Sequence, residues 1–208
     1  MRIVSQFLFK SLCLSAASCV AGAAQAGIAV YTNQADFLSA IAAPGTDTFD
    51  DLAAGAYGNT VYRTAGAYDY RADSAGGLWG AGGPSDYWLS NNDRVRPIVF
   101  SGFSGGVNAF GGNFFASGVG GDYMPDGTIV LTAADGGTLT YDLTGATTAS
   151  FVGFLSSAPL SSVSIGAGGV DYWPTANNVV LAVPEPAAYG MLLAGMSLLG
   201  VTARRRRG

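Results

Sequence analysis

Between residues 27 and 182 the chain has no lysine, no glutamate and no histidine, and this restricts its fold more than any other feature. Lys and Glu are among the residues that build the solvent side of ordinary helices. In their place stand glycine, serine, threonine, aspartate and aromatic residues, a mixture suited to strands joined by tight turns. The charge of this segment is one-sided: thirteen aspartates against Arg63, Arg71, Arg94 and Arg96, a net −9. Such a surface repels phosphate backbones and anionic lipid, which argues against nucleic acid as a partner. The stretch is long enough for one domain with a real core.

Its apolar pattern predicts many short strands. Residues 28–31 open the set. Thr32 or Asn33 caps a helix running to Ala42, with Phe37, Leu38 and Ile41 on one face, ended by Pro44-Gly45. Residues 46–51 start a strand carrying Asp47, Asp50 and Asp51. Residues 53–97 read as a long glycine-rich irregular region, with strand pieces around Tyr62, Tyr68 and Tyr70. Strands follow at 96–100, 107–110 and 113–116, the last two separated by Gly111-Gly112. More follow at 127–132, 138–143, 150–155, 160–165 and 178–182. In 138–143, Leu139, Tyr141 and Leu143 share one face. Short, even spacing with Asp-Gly turns predicts an all-β, antiparallel sandwich with one short N-terminal helix.

The two ends are of a different kind. Residues 1–26 have a basic start (Arg2, Lys10), an apolar core and Ala24-Gln25-Ala26 before Gly27. This is a secretory signal with cleavage between Ala26 and Gly27. Both cysteines, Cys13 and Cys19, fall inside it, so the mature chain uses neither disulfides nor thiol chemistry. At the other end, residues 183–208 read Val183-Pro184-Glu185-Pro186, an uncharged run over 187–203, then Arg204, Arg205, Arg206 and Arg207. As a helix the run spans about 25 Å, enough to cross a hydrocarbon core. The arginines hold the final residues on the cytoplasmic side and leave the rest of the chain outside.

This order of Pro-Glu-Pro, apolar helix and arginine cluster resembles the PEP-CTERM sorting signal of Gram-negative bacteria. The resemblance implies an inner-membrane precursor, exosortase as the partner that recognises Pro184, Glu185 and Pro186, and a destination at the cell surface or beyond it. A second resemblance covers residues 107–181. Ala109-Phe110-Gly111-Gly112-Asn113-Phe114-Phe115, Phe151-Val152-Gly153-Phe154, Ser161-Ser162-Val163-Ser164-Ile165 and Tyr172-Trp173-Pro174-Thr175 are similar to an ectodomain that recurs with such tails. It implies a jelly-roll-like sandwich. Asn177 stands where that pattern has aspartate.

Catalytic chemistry finds little to use. Without histidine there is no imidazole base or metal ligand, and without body lysine or cysteine no Schiff base or thiolate. Aspartate pairs remain, and nothing singles one out, so the chain reads as a non-enzyme. Calcium is the candidate ion, with Asp50, Asp51 and Asn177 as oxygen ligands if the first and last strands meet; a polar turn at Asp50-Asp51 is the plainer reading. A candidate glycan face is Trp79, Asp86, Tyr87, Trp88 and Asn91, aromatic planes beside hydrogen-bonding groups. The same string recurs as Asp171-Tyr172-Trp173 before Asn177-Asn178, where the core is the preferred place for Trp173. The functional expectation is a structural or interaction protein of the envelope or extracellular polysaccharide. The alternative is a carbohydrate-binding module with a structural calcium ion.

Overall fold

The computed structural model of the chain describes residues 27–184. The leader through Ala26 and the tail from Glu185, including the apolar run and Arg204–Arg207, lie outside the described residues. Among the described residues no helix is long and apolar enough to cross a membrane.

Thirteen strands and one helix follow in order. They are β1 (Ile28–Tyr31), α1 (Gln34–Ser39), β2 (Ile41–Asp47), β3 (Gly55–Ala65), β4 (Tyr68–Gly83), β5 (Asp86–Asn91), β6 (Ile98–Ser101) and β7 (Ala109–Ser117), then β8 (Tyr123–Met124), β9 (Thr128–Ala134), β10 (Thr138–Leu143), β11 (Phe151–Ser156), β12 (Ser162–Gly168) and β13 (Trp173–Pro184). All pair antiparallel in one sheet of order β1-β11-β7-β13-β5-β4-β6-β12-β9-β10, with β2 added to β13, β3 to β4 and β8 to β7. The sheet curls until β12 lies against β13 and β9 against β7 across the core. The all-β, antiparallel expectation therefore holds, and the two facing layers are halves of one nearly closed sheet joined through β5.

The largest departure from the sequence reading is residues 53–97, which form β3, β4 and β5 rather than an irregular loop. The first half of β4 alternates strictly: Tyr68, Tyr70, Ala72 and Ser74 face inward while Asp69 and Arg71 face out. Ala65 pairs with Tyr68, so Gly66-Ala67 is a two-residue hairpin loop with Gly66 at φ +60°, the position a type II′ turn reserves for glycine.

The helix is capped as expected. Asn33 Oδ1 accepts the Ala35 and Asp36 N–H groups at 2.8 and 3.1 Å. It ends at Ser39, not Ala42, because Ile41 and Ala42 pair with Pro184 and Val183 of β13. Leu38 is left exposed. Pro44 sits within β2, whose only strand partner among the described residues is β13, and Pro44 is not among the residues paired there, so the missing N–H breaks no ladder. Gly111-Gly112 does not divide two strands; both belong to β7, which is buried along its whole length. Gly111 pairs with Gly153 of β11, and the Phe37 ring of α1 lies over both.

The main core draws on both halves of the sheet, with Phe49, Tyr70, Phe100, Phe110, Phe114, Phe115 and Phe154 among its rings. A smaller cluster of Phe37, Ile41, Ala109, Phe151, Val180 and Ala182 covers the outer face of β7 and β13. The ladders also fix where the chain enters and leaves. Ile28 pairs with Ser156, Leu155 with Ala109, and Ala109 with Ala182. The first and last described strands thus share one end of the sheet, about 14 Å apart over three strand spacings.

Candidate functional site

Two of the concave regions on the described sheet carry clustered polar or aromatic side chains. The smaller is a cleft of about 160 Å³ at the far end of the β7–β13 pair, where Trp173 pairs with Ser117. Trp79 of β4 and Trp173 of β13, both half-buried, line it with Ser90, Asn91, Ser117 and the exposed Val119. Behind these, Thr175 Oγ1 lies 2.8 Å from Ser117 Oγ and 3.1 Å from Ser90 Oγ. Ser90 Oγ lies 3.2 Å from both the Pro174 carbonyl and Ser117 Oγ. Three hydroxyls hold three protons. With Thr175 donating to Ser117 and Ser90 to the carbonyl, the Ser117 proton is left to turn toward Ser90. Asn91 is 4 % exposed; its Nδ2 donates to the Arg96 carbonyl at 2.6 Å, and its buried Oδ1 accepts nothing among the described residues.

The structure redistributes the expected glycan face. Trp79 and Asn91 line the cleft, but Trp88 is a core residue, edge-on to Phe115 at 5.1 Å. Tyr87 is half-buried against the same core, and the exposed Asp86 accepts Asn177 Nδ2 at 2.8 Å. A strand alternates its side chains, so β5 cannot present Tyr87 and Trp88 on one face. Trp173, assigned to the core by sequence, supplies the second aromatic wall instead. Trp79 was already a candidate from sequence, whereas Trp173, though part of the repeated Asp-Tyr-Trp string, was not; β4 sets Trp79 against Ser90.

The larger region is an open groove of about 840 Å³ beside β2, β3 and β4. At its base Arg63 grips two carboxylates. Nε and Nη2 reach Asp47 at 2.8 and 2.6 Å, and Nη1 and Nη2 reach Asp51 at 2.7 and 2.6 Å. Asp47, 4 % exposed, also accepts the Tyr70 hydroxyl at 2.6 Å and the Phe49 N–H at 3.1 Å. Phe49 is held at φ +62°, rare for a bulky residue, with its ring 5.2 Å from the guanidinium. Burial opposes the Arg63 charge, but the bonds from Asp51 and Asp47 outweigh it and push the guanidinium above its ordinary value.

Of the candidate calcium ligands, Asp51 is committed to Arg63, while Asn177 donates to Asp86 and accepts the Asn178 N–H. Asp50 is exposed and makes no side-chain bond among the described residues. No cluster of three acidic, Cys or His side chains able to hold a metal occurs among them.

The lock should show in the pH dependence of stability. The Arg63 hydrogen bond, against a weaker effect of burial, holds Asp51 below the usual carboxylate range. Its stabilisation is complete above about pH 4 and is lost as pH falls through the folded value. Burial, then the Asp47 charge and hydrogen bond, push Tyr70 well above its ordinary value. That stabilisation is present below about pH 10 and is lost as pH rises. Melting temperature is expected to be flat between these limits and to fall outside them. Asp51→Asn should soften the acid limb and Tyr70→Phe the alkaline one; unaltered limbs in both variants would refute the assignment.

At the end opposite the cleft, β13 runs to the exposed Pro184, and the family model of the PEP-CTERM protein-sorting motif matches residues 182–207. The chain carries a PEP-CTERM sorting motif. The motif marks an exported protein of Gram-negative type, sorted by exosortase. Its first residues, Ala182 and Val183, are still part of β13, paired with Ala109 and Ala42. The PEP-CTERM segment therefore starts inside the folded sheet, with no linker before Pro184. No curated protein and no solved structure matches the chain.

Proposed function

We propose that this protein is a non-catalytic structural or interaction protein of the cell surface or extracellular polysaccharide. Exosortase delivers it from an inner-membrane precursor held by residues 187–203. The observation that carries this reading is the sorting motif starting within β13 and leading directly to Pro184. The body is thereby presented next to the membrane by the end where both described termini lie. The acid groups support a structural part: buried Asp47 is occupied by Arg63, Tyr70 and the Phe49 N–H, and joins β2, β3 and β4. The jelly-roll-like body acts as a displayed scaffold.

A second reading, carbohydrate binding, is favoured by one feature, the cleft with two tryptophans and a hydroxyl-rich wall.

Fractionation with intact-mass measurement tests the first reading. The expected result is a membrane-bound precursor and a surface or released form lacking the residues beyond the motif. In cells without exosortase only the precursor should be present, and in cells without extracellular polysaccharide the mature form should shift to the medium. A full-length chain in the cytosol, with Met1 and Gly208 both retained, overturns the proposal.

A further inference from the structure

We infer that the Trp79–Trp173 cleft binds the terminal sugar of an uncharged glycan, end-on, and holds it at the pole of the body farthest from the sorting motif. This inference rests on the carbohydrate reading above and assigns it a place, a ligand class and a direction.

The chemistry of the lining selects the ligand class. Two tryptophans line the cleft, and an indole offers a flat apolar face beside a polar edge. A pyranose ring presents C–H groups to such a face and hydroxyls around its rim. A rim partner is present in the exposed amide of Asn92, which lines the cleft, while Ser90, Asn91 and Ser117 lie almost fully buried in its wall.

No side chain lining the cleft is charged. Asp93 and Asp122 each follow a lining residue in sequence, and the segment as a whole carries −9. A uronate or phosphate would enter this field without a cation to meet it, whereas a neutral hydroxyl rim meets no such penalty.

Size selects end-on capture. Pockets for drug-sized ligands hold about 300–1,000 Å³; this one holds about 160 Å³, room for a single ring rather than a length of chain. Position follows from the ladder. Ala109 pairs with Ala182 at the motif end, and Ser117 with Trp173 at the cleft end. Eight residues of strand separate them, about 26 Å. A body tethered by its C-terminus would thus offer the cleft outward.

The test uses the full chain in detergent micelles. It is applied to immobilised oligosaccharides ending in glucose, galactose, mannose or N-acetylglucosamine, and to the same chains ending in glucuronic acid. Bound species are then titrated against wild type, Trp79→Ala, Trp173→Ala, Val119→Asp and the remote control Tyr62→Ala, with melting temperature read for each. Trp173 is not among the side chains packed on the main core, and Val119 is 90 % exposed, so both variants retain the fold. The expected result is binding of one or more neutral ends, weakened about tenfold or more by either tryptophan change. Val119→Asp should weaken it less, and Tyr62→Ala not at all. Neutral glycans bound equally by all variants would remove the cleft as the site while leaving carbohydrate binding standing. No glycan bound by any form would remove both. Glucuronate ends bound as well as neutral ones would overturn the ligand class.

Discussion

Arg63→Ala is expected to destabilise the folded body by about 3–5 kcal/mol, the cost of leaving a buried carboxylate without its cation. Asp47 is almost fully buried and loses two of its four bonds at once. The turn beyond it suffers as well. Phe49 stands in a left-handed conformation under the guanidinium, and Asp51 is tied to the same group. In a domain of this size each kcal/mol moves the melting temperature by about 2–4 °C, so a fall of about 10 °C should be measured. Arg63→Lys should lose less, because an ammonium keeps the charge but cannot span both carboxylates in plane. Asp51→Asn should cost under about 1 kcal/mol, since its side chain is largely in water. If Arg63→Ala melts within a degree or two of wild type, Asp47 is not held by Arg63 in solution.

Phe37→Ala is expected to cost a similar amount, about 3–5 kcal/mol, through a different mechanism. The ring is wholly buried, meets Tyr31 at 5.8 Å and Phe151 at 5.3 Å, and covers Gly111 and Gly153. A Cβ on Gly153 would stand 2.4 Å from Phe37 Cδ2, so the glycine and the ring are matched shapes. Gly153→Ala alone should therefore also destabilise. Combined with Phe37→Ala, the added methyl enters the space the ring has left, and the double variant should be more stable than the sum of the two losses implies. Denaturant melts of the four proteins measure this coupling, and strict additivity would deny the contact.

These two features also show what could be read from the sequence. The strand at 138–143 was plain, because apolar and polar residues alternate after the Asp135-Gly136 turn, and 150–155 stood out as a short apolar run. The helix start was narrowed to Thr32 or Asn33, since a cap's mechanism is local, and Asn33 is the residue that caps. The hairpin of β3 and β4 was hidden by its composition. Inward positions Ala72 and Ser74 are small, and the glycines after Ser74 imitate a loop, although Tyr68 and Tyr70 already carry the period of two. Gly111-Gly112 misled in the same way. A glycine that makes room for a ring looks, in one dimension, like a glycine that makes a turn.

The site was legible in its residue types and not in its assembly. Of the aromatic and amide side chains that stood out, Trp79 and Asn91 line the cleft and Trp88 lies in the core. Which tryptophans meet depends on β4 pairing with β5 in the register that sets Trp79 against Ser90, and on β13 returning beside β7. Both are long-range facts. The pairing of Asp47 and Asp51 with Arg63 was equally invisible. In sequence Asp50 and Asp51, with Asn177, suggest a calcium site; in the fold Asp51 is bonded to Arg63, a side chain supplied by the next strand.

The course of β13 has a mechanical consequence. It carries Trp173 at one end and Pro184 at the other, and along its length it is bonded to β7 and β2. A pull applied between Trp173 and Pro184 would act lengthwise on this single strand. Antiparallel bonds lie across that direction, so many must slide together before any one of them parts. The body is thus strung like a tie-rod, in the orientation that best resists being drawn apart.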